Sequence, residues 1–427
     1  MQFRNGNWLV CFSFFISSHL LAEPLKFEIK GEAAIMMNAE TGAILFDYQS
    51  HTLQYPASVT KVATALYALK LTSQDVDMLI TAEQESLGTI TQEAKCKSNY
   101  KFPPYWLEPD GMHIGIKKGE ILSLRALLGG MLIPSGNDAA NVIAQALGPT
   151  IPTFMMGMNA YLKELGCQKT FFRNPHGLHD PQHQTTAYDL AVITREPLKY
   201  PIFCEIVLQS RFLRPKTNKQ SAVTLLQTNR LLRPGKFLYS KAIGIKTGWH
   251  GRARKTFIAA ARSDGRTLIV VLLGYKNSNT VFEDAIQLFE MAFNQPKVQR
   301  LFLKPGVQTF TLDLPKANGP LRTYLREPLS LEYYLAEDPQ AKCLLYWQAS
   351  SLPIVKDQQV GELHLIAANG EILKRAPLLA LEKVKLAWPH NWFAHLVSPH
   401  WLFIAMGACL FIIVLFLFWN RQKSMKL

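Results

Sequence analysis

Apolar positions along the chain change their spacing several times, and each change predicts a different kind of element. Residues 33–38 (Ala-Ala-Ile-Met-Met-Asn) and 43–48 (Ala-Ile-Leu-Phe-Asp-Tyr) are short apolar runs on either side of Ala39-Glu40-Thr41-Gly42, which predicts two strands joined by a turn. From Ser58 to Leu69 the apolar residues recur at helical spacing. The same period returns over 122–147, 154–165, 186–194 and 281–293. The first of these is broken at Ile133-Pro134-Ser135-Gly136-Asn137-Asp138, where a missing donor and a flexible glycine predict a turn between two helices, with Asp138 a candidate cap. Residues 243–248 alternate as a strand, and 257–261 and 268–273 predict a hairpin closed through Asp264-Gly265. Between the helices, 83–108 is polar and shows no sustained helical period. Beyond residue 299 the texture becomes short alternating segments at 308–314, 331–335, 344–347, 361–367 and 377–384, with turn signals such as Asn369-Gly370, and predicts a small all-β domain over 299–386.

Both ends of the chain read differently. The mostly apolar run from Trp8 to Leu21 follows Arg4 and is short for a membrane span, so residues 1–22 are expected to be a secretory signal peptide ending near Ala22. Residues 401–419 carry no charge, have tryptophans at both ends and are followed by Arg421, Lys423 and Lys426. That pattern predicts a transmembrane helix with a cytoplasmic tail at 420–427 and an aromatic juxtamembrane linker at 387–400. The expected location is therefore the cell (inner) membrane, single-pass, with the folded part on the periplasmic or extracytoplasmic side. The composition, 48% apolar and 18% charged over 427 residues, supports a substantial core. The formal charge of +14 asks for acidic partners. With the chain outside the cytoplasm, nucleic acid is excluded as a partner, and a membrane surface or an acidic envelope polymer remains. Cys96, Cys167, Cys204 and Cys343 lie in the exported part and permit disulfides in any of three pairings.

The candidate chemistry begins at Ser58-Val59-Thr60-Lys61. One helical turn separates the hydroxyl from an amine able to take its proton, and the start of a helix favours negative charge there. A chain this long supplies about one or two such pairs by chance, and Ser98-Asn99-Tyr100-Lys101 is a second one, set in the polar stretch without a helical period. Ser135 and Asn137 sit on the predicted turn, where ordinary turn chemistry also explains them. Lys246-Thr247-Gly248 lies on a predicted strand, and chance supplies such a triplet about 0.1 times in a chain of this length. His176, His179 and His183 with Asp180 have the residue types of a metal set, but no His-Glu-x-x-His accompanies them; no metal and no cofactor are expected.

Taken in order, the Ser58/Lys61, Ser135/Asn137 and Lys246-Thr247-Gly248 motifs resemble the signature of serine penicillin-recognising enzymes. Gly130-Met131-Leu132-Ile133-Pro134-Ser135-Gly136-Asn137-Asp138-Ala139-Ala140, Asn174-Pro175-His176-Gly177-Leu178 and Thr185-Thr186-Ala187-Tyr188-Asp189-Leu190-Ala191 are similar to stretches of the low-molecular-mass D-alanyl-D-alanine carboxypeptidases. Val360-Gly361-Glu362-Leu363 and Pro377-Leu378 resemble that family's second domain. The resemblance implies an α+β, β-lactamase-like catalytic domain over 23–296, with an antiparallel sheet and a helical subdomain. It implies that Ser58 attacks the carbonyl between two terminal D-alanines while Lys61 takes its proton. Ser135 would relay a proton to the leaving amine, and Asn137 would hold the substrate backbone. Lys246 and Thr247 would receive the terminal carboxylate, with Gly248 completing the motif. The N–H groups of Ser58 and Trp249 would form the oxyanion hole. The implied partners are peptidoglycan stem peptides ending in D-Ala-D-Ala and β-lactam antibiotics. Trp249-His250 departs from the histidine or tyrosine and small hydroxyl residue expected after Lys-Thr-Gly, and the polar insertion before the central motif is long. Alternative readings are a D,D-endopeptidase, a β-lactamase, or a catalytically silent protein that binds stem peptides.

Overall fold

The computed structural model describes residues 11–14 by their backbone, residues 24–348 and 351–387, and residues 407 and 410–414. The chain forms two compact units: Ala22–Pro296 with Tyr334–Glu337, and Lys297–Tyr333 with Asp338 onward and the N-terminal residues.

The larger unit is built on a five-stranded antiparallel sheet in the order Ile44–Tyr48, Ala33–Asn38, Arg266–Tyr275, Arg254–Ser263, Ala242–His250. Its central hairpin turns at Asp264 and Gly265, both at positive φ, as the twist of a tight hairpin requires. All ten residues of Arg266–Tyr275 are buried. Their apolar side chains divide with a period of two: Ile269, Val271 and Leu273 enter one core, and Leu268, Val270 and Leu272 the other. A sheet covered on both faces reads in sequence as a continuous apolar run. The core on the first face is shared with the helices Lys61–Leu71, Leu124–Leu132, Asn137–Leu147, Ile151–Glu164 and Ala187–Arg195, the last of which lies against the sheet itself, and the core on the second with the helix Ser278–Phe293. Ser123, Thr150 and Thr186 cap three of these helices by accepting the N–H three residues on.

Local differences from the expected pattern have physical causes. The helical run expected from residue 122 starts at Leu124, because Ile121–Ser123 pairs with Leu79–Thr81 and Ser123 becomes the cap. The polar stretch 83–108 contains a 3-10 turn, Gln84–Leu87, and a short α-helix, Gln92–Lys97, neither long enough to display a period. Cys96, Cys167, Cys204 and Cys343 are free thiols, so the disulfides that their even number permitted are not formed.

The smaller unit has a six-stranded sheet in the order Cys11–Phe14, Lys342–Trp347, Gln359–Ile366, Ile372–Ala380, Leu321–Leu325, Gly306–Leu312. A two-stranded ladder joins Lys297–Leu303 to Leu329–Tyr334. Its own core centres on Leu321, Leu345, Trp347, Val360, Leu365 and Leu378. Cys11–Phe14 falls within the expected signal peptide. The rest of 1–23, and the juxtamembrane linker from residue 388, lie outside the described residues.

The expectation of a C-terminal transmembrane helix is corrected. No helix among the described residues is long and apolar enough to cross a membrane. Of 401–419 only residues 407 and 410–414 are described, far short of the roughly 20 helical residues a span needs, and the remainder lies outside them. The single-pass inner-membrane location and the membrane as a partner rested on that helix and fall with it.

Candidate active site

Ser58 sits in a one-turn 3-10 segment, Ala57–Thr60, that runs directly into the helix Lys61–Leu71. Ala57 is held at φ +54°, a conformation that a residue with a Cβ adopts only when its surroundings over-determine it. The determinants are visible. The Thr60 hydroxyl donates to the Ala57 carbonyl at 2.8 Å, and the Thr256 hydroxyl donates to the Pro56 carbonyl at 2.7 Å. His183 accepts the Arg173 N–H on Nδ1 at 3.0 Å, so its Nε2 carries the proton and donates to Thr60 Oγ1 at 2.9 Å. Gly177, at φ +89°, backs onto the same turn so closely that a Cβ would lie 1.9 Å from the Ala57 carbonyl oxygen.

The one-turn spacing brings Lys61 Nζ to 2.8 Å from Ser58 Oγ. Two further partners complete its shell, Asn137 Oδ1 and the His176 carbonyl oxygen, each at 2.7 Å. Lys61 is wholly buried. Burial first, and then the nearby Lys246, push its pKa well below the usual lysine value, against a smaller opposing pull from Asp138. A neutral amine has two N–H bonds and one lone pair. Asn137 Oδ1 and the His176 carbonyl can only accept, so they take the two protons, and the lone pair faces the Ser58 hydroxyl.

The central turn is equally constrained. Ser135 lies at φ +76° and is nearly buried, lining the cleft in front of Ser58. The Gly136 N–H donates to the Gly130 carbonyl at 2.9 Å, folding the turn back on the preceding helix. Asp138 is not the cap: Gly136 holds that position, without a side-chain bond. Instead the buried Asp138 carboxylate accepts the N–H groups of Ile114, Gly115, Ile116 and Ala139. The Asn137 N–H adds a bond to the Met112 carbonyl at 2.8 Å. Together they turn the end of the polar insertion into a fixed cleft wall.

Lys246, Thr247, Gly248 and Trp249 lie on the edge strand Ala242–His250. Alternation turns Lys246 inward, where it is wholly buried and its Nζ donates to the Thr247 carbonyl at 2.9 Å. Burial lowers its pKa to about 7. Thr247 faces the cleft, and its hydroxyl donates to Thr228 Oγ1 at 2.7 Å. Gly248 is required by close approach: a Cβ would lie 2.3 Å from Thr256 Oγ1 and 2.9 Å from the Ser58 nitrogen. Trp249 is 63% exposed at the cleft mouth, with Lys255 Nζ 4.8 Å from its ring centre. His250 points the other way, into a group with Tyr55 and His179.

The cleft has a volume of about 310 Å³ and is lined by Ser58, Met112, Ser135, Arg230, Thr247 and Trp249 among others, a size at the lower end for ligand clefts. The competing Ser98 and Lys101 are not brought together as a site: Ser98 ends the helix Gln92–Lys97 and bonds the Lys95 carbonyl, while Lys101 is exposed. Two histidines of the histidine-rich loop are committed to the backbone and to the turn that carries Ser58. His176 accepts the Leu178 N–H on Nδ1 at 3.1 Å and donates from Nε2 to the Tyr105 carbonyl at 3.1 Å, and His183 is committed as described. Sequence reasoning missed the His176 carbonyl, the clamping role of Asp138, Thr228 and Arg230. The first has no side-chain signal, and the last sits in a run of basic residues that hides it.

The sequence profile of the D-alanyl-D-alanine carboxypeptidase family matches residues 19–277. The chain is 28% identical over 371 residues to the D-alanyl-D-alanine carboxypeptidase DacF of Bacillus subtilis, covering 84% of this chain and 87% of that protein. Its structure is similar to that of a D-alanyl-D-alanine carboxypeptidase from Mycobacterium tuberculosis, with a TM-score of 0.54, 30% identity and coverage of 64% and 96% respectively. It shares its fold with the D-alanyl-D-alanine carboxypeptidase DacD from Francisella tularensis, with a TM-score of 0.59, 22% identity and coverage of 87% and 97%. The matched region takes in all three motifs and more than half of the chain, and the protein accordingly belongs to the D-alanyl-D-alanine carboxypeptidase family, the low-molecular-mass penicillin-binding proteins, and is a serine-type enzyme of that kind.

Proposed function

We propose that this carboxypeptidase removes the terminal D-alanine from peptidoglycan pentapeptide stems through an acyl-enzyme on Ser58, with the surrounding residues dividing the proton and charge work. Neutral Lys61 takes the Ser58 proton as Oγ attacks the carbonyl of the penultimate D-alanine. The N–H groups of Ser58 and Trp249 receive the resulting oxyanion; such donors contribute about 2.7–4 kcal/mol each. The C–N bond then breaks, and the proton held by Lys61 passes through Ser135 to the departing amine of the terminal D-alanine. Water, activated by the same lysine, hydrolyses the Ser58 ester and releases the tetrapeptide stem. Asn137 holds both Lys61 and the substrate backbone. Thr247 faces the terminal carboxylate, and Lys246, buried behind it, contributes its field. A β-lactam enters the same cleft because its strained amide takes the place of the scissile bond.

The observation that carries this reading is the shell of Lys61: two obligate acceptors at 2.7 Å leave its lone pair for the Ser58 hydroxyl at 2.8 Å. The test is product analysis on a pentapeptide stem and on a cross-linked dimer. Free D-alanine and tetrapeptide from the wild type, with neither from Ser58→Ala, are expected. Cleavage of the dimer alone would make the enzyme an endopeptidase, and turnover by Ser58→Ala would reject the nucleophile.

A further inference from the structure

Four lysines that take no part in the catalytic site lie on two loops far apart in sequence. Lys117 and Lys118 stand between Ile116 and Ile121, and Lys216 and Lys219 at the tip of the hairpin formed by Arg211–Arg214 and Val223–Leu226. All four are exposed. A buried carboxylate ties the loops together: Glu120 is reached by Arg214 at 3.4 Å, by the Thr217 hydroxyl at 2.7 Å and by the Gln220 side-chain amide at 2.8 Å. Asn218 accepts the Ile121 N–H at 2.9 Å and donates to the Gly119 carbonyl at 2.8 Å, and Gln220 Nε2 also donates to the Gly115 carbonyl at 2.6 Å. The Lys219 stem lies across Gly119, 3.7 Å from where a Cβ would stand. These bonds hold the two pairs of lysines beside one another.

Their charge is not met within the chain. Glu120 is the one acidic residue of the two loops, and Arg214 matches it. None of the four lysines forms an ion pair among the described residues. Glu83, next to the Ala82 carbonyl that accepts the Gly119 N–H, forms none with them either. Like charges held together in this way repel one another and attract a polyanion.

The position of the lysines identifies that polyanion. Lys117 directly follows Ile114-Gly115-Ile116, the segment whose N–H groups Asp138 clamps, and Met112 on the same wall lines the cleft. Five residues of chain span at most about 18 Å, so Lys117 stands close to the cleft, yet none of the four lysines lines it. A polymeric substrate that places one stem peptide against Ser58 presents its neighbouring stems, each ending in a carboxylate, to the surface around the cleft. We propose that Lys117, Lys118, Lys216 and Lys219 form a docking surface for the carboxylates of those neighbouring stems. The enzyme then engages polymeric peptidoglycan at two points and a single soluble stem at one. The proposal rests on the stem-peptide reading of the cleft. Two-point binding raises affinity through effective concentration, without a new contact at the reacting bond.

Binding and turnover are measured separately on the full chain. Binding is read by cosedimentation with insoluble peptidoglycan in a Ser58→Ala background, which leaves the polymer uncut. Combining Lys117→Gln, Lys118→Gln, Lys216→Gln and Lys219→Gln should weaken it by about tenfold or more, because exposed ion pairs are individually small and add over four. The same four positions changed to Arg should retain it. Raising NaCl from about 50 to about 300 mM should weaken binding with the lysines present and change it little in the Gln variant. With Ser58 intact, kcat/KM for D-alanine release from the polymer should fall with the binding, while on a soluble pentapeptide it stays within about twofold, since that substrate uses the cleft alone. Undiminished binding by the Gln variant, equal capture of peptidoglycan whose carboxylates have been amidated, or an equal loss of kcat/KM on both substrates would overturn the proposal. Preferential capture by vesicles of anionic lipid would assign the lysines to another partner and overturn it as well. Failure of the Ser58 reading looks different: the wild type would then release D-alanine from neither substrate, while the cosedimentation comparison still reads the docking surface.

Discussion

Lys61 and Lys246 are two wholly buried amines in one site, and neither has a carboxylate hydrogen-bonded to it. Each therefore lowers stability in proportion to how strongly burial disfavours its charged form. For Lys246 the folded value is about 7, against 10.5 in an open chain. Between those values the unfolded chain holds a proton that the folded one has released, so stability rises with pH through that window and is lowest below pH 7. The full shift corresponds to about 5 kcal/mol. Lys246→Met should accordingly be more stable than the wild type by several kcal/mol at pH 6, with the gap closing toward pH 10. Urea denaturation at the two pH values checks this, and parallel stability curves would contradict it. At this scale the sequence was legible where side chains carry the chemistry. Ser58 and Lys61 are readable because one helical turn separates them. The His176 carbonyl, which fixes the direction of the Lys61 lone pair, is a backbone atom that any residue could provide. Arg230 is one arginine among many until the fold sets it in the lining of the cleft.

Elements were legible when their period was unambiguous. The hairpin through Asp264-Gly265 and the helix break at Pro134-Ser135-Gly136 follow from turn chemistry and stand where expected. The polar insertion did not reveal itself, because its order comes from distant acceptors: Asp138 holds the N–H groups of Ile114, Gly115 and Ile116, and Lys95 is buried against the Trp106 carbonyl and Glu108. The turn that carries Ser58 and the edge strand approach each other most closely at Gly248. Gly248→Ala places a Cβ against Thr256 Oγ1 and the Ser58 nitrogen, so the strand must retreat from Ser58. The rate of acylation by penicillin should drop by about 100-fold, since a misplacement of about 1 Å carries that cost. The melting temperature should fall by only a few degrees, the scale of about 1 kcal/mol. Stopped-flow acylation and thermal denaturation of the same sample separate the two effects.

At the scale of the molecule, Tyr334–Glu337 returns to the catalytic unit after the first strands of the smaller one. The Glu337 carboxylate accepts from Arg266 at 2.6 Å and from Asn38 at 2.8 Å, and Tyr334 lies under the same guanidinium. Both charged partners of this pair are almost fully buried. Removing one charge of a buried pair costs about 3–5 kcal/mol, so Glu337→Gln should lower the denaturation free energy on that scale while leaving the cleft residues in place. A change under 1 kcal/mol would show that the pair is not structural. This long-range closure had no local signature, which is why an α+β catalytic part and an all-β part could be read from texture while their interleaving in the chain could not. The strongly apolar 401–419 stretch marks the opposite limit, a clear compositional signal for which the described residues contain no spanning helix.

The central claim, that Ser58 is the acylated nucleophile, is tested most directly by mass spectrometry of the protein after incubation with benzylpenicillin, followed by peptide mapping. The account predicts one covalent adduct of intact penicilloyl mass, located on Ser58 and absent from Ser58→Ala. An adduct on Ser98 or Ser135, or one that persists in Ser58→Ala, would contradict it.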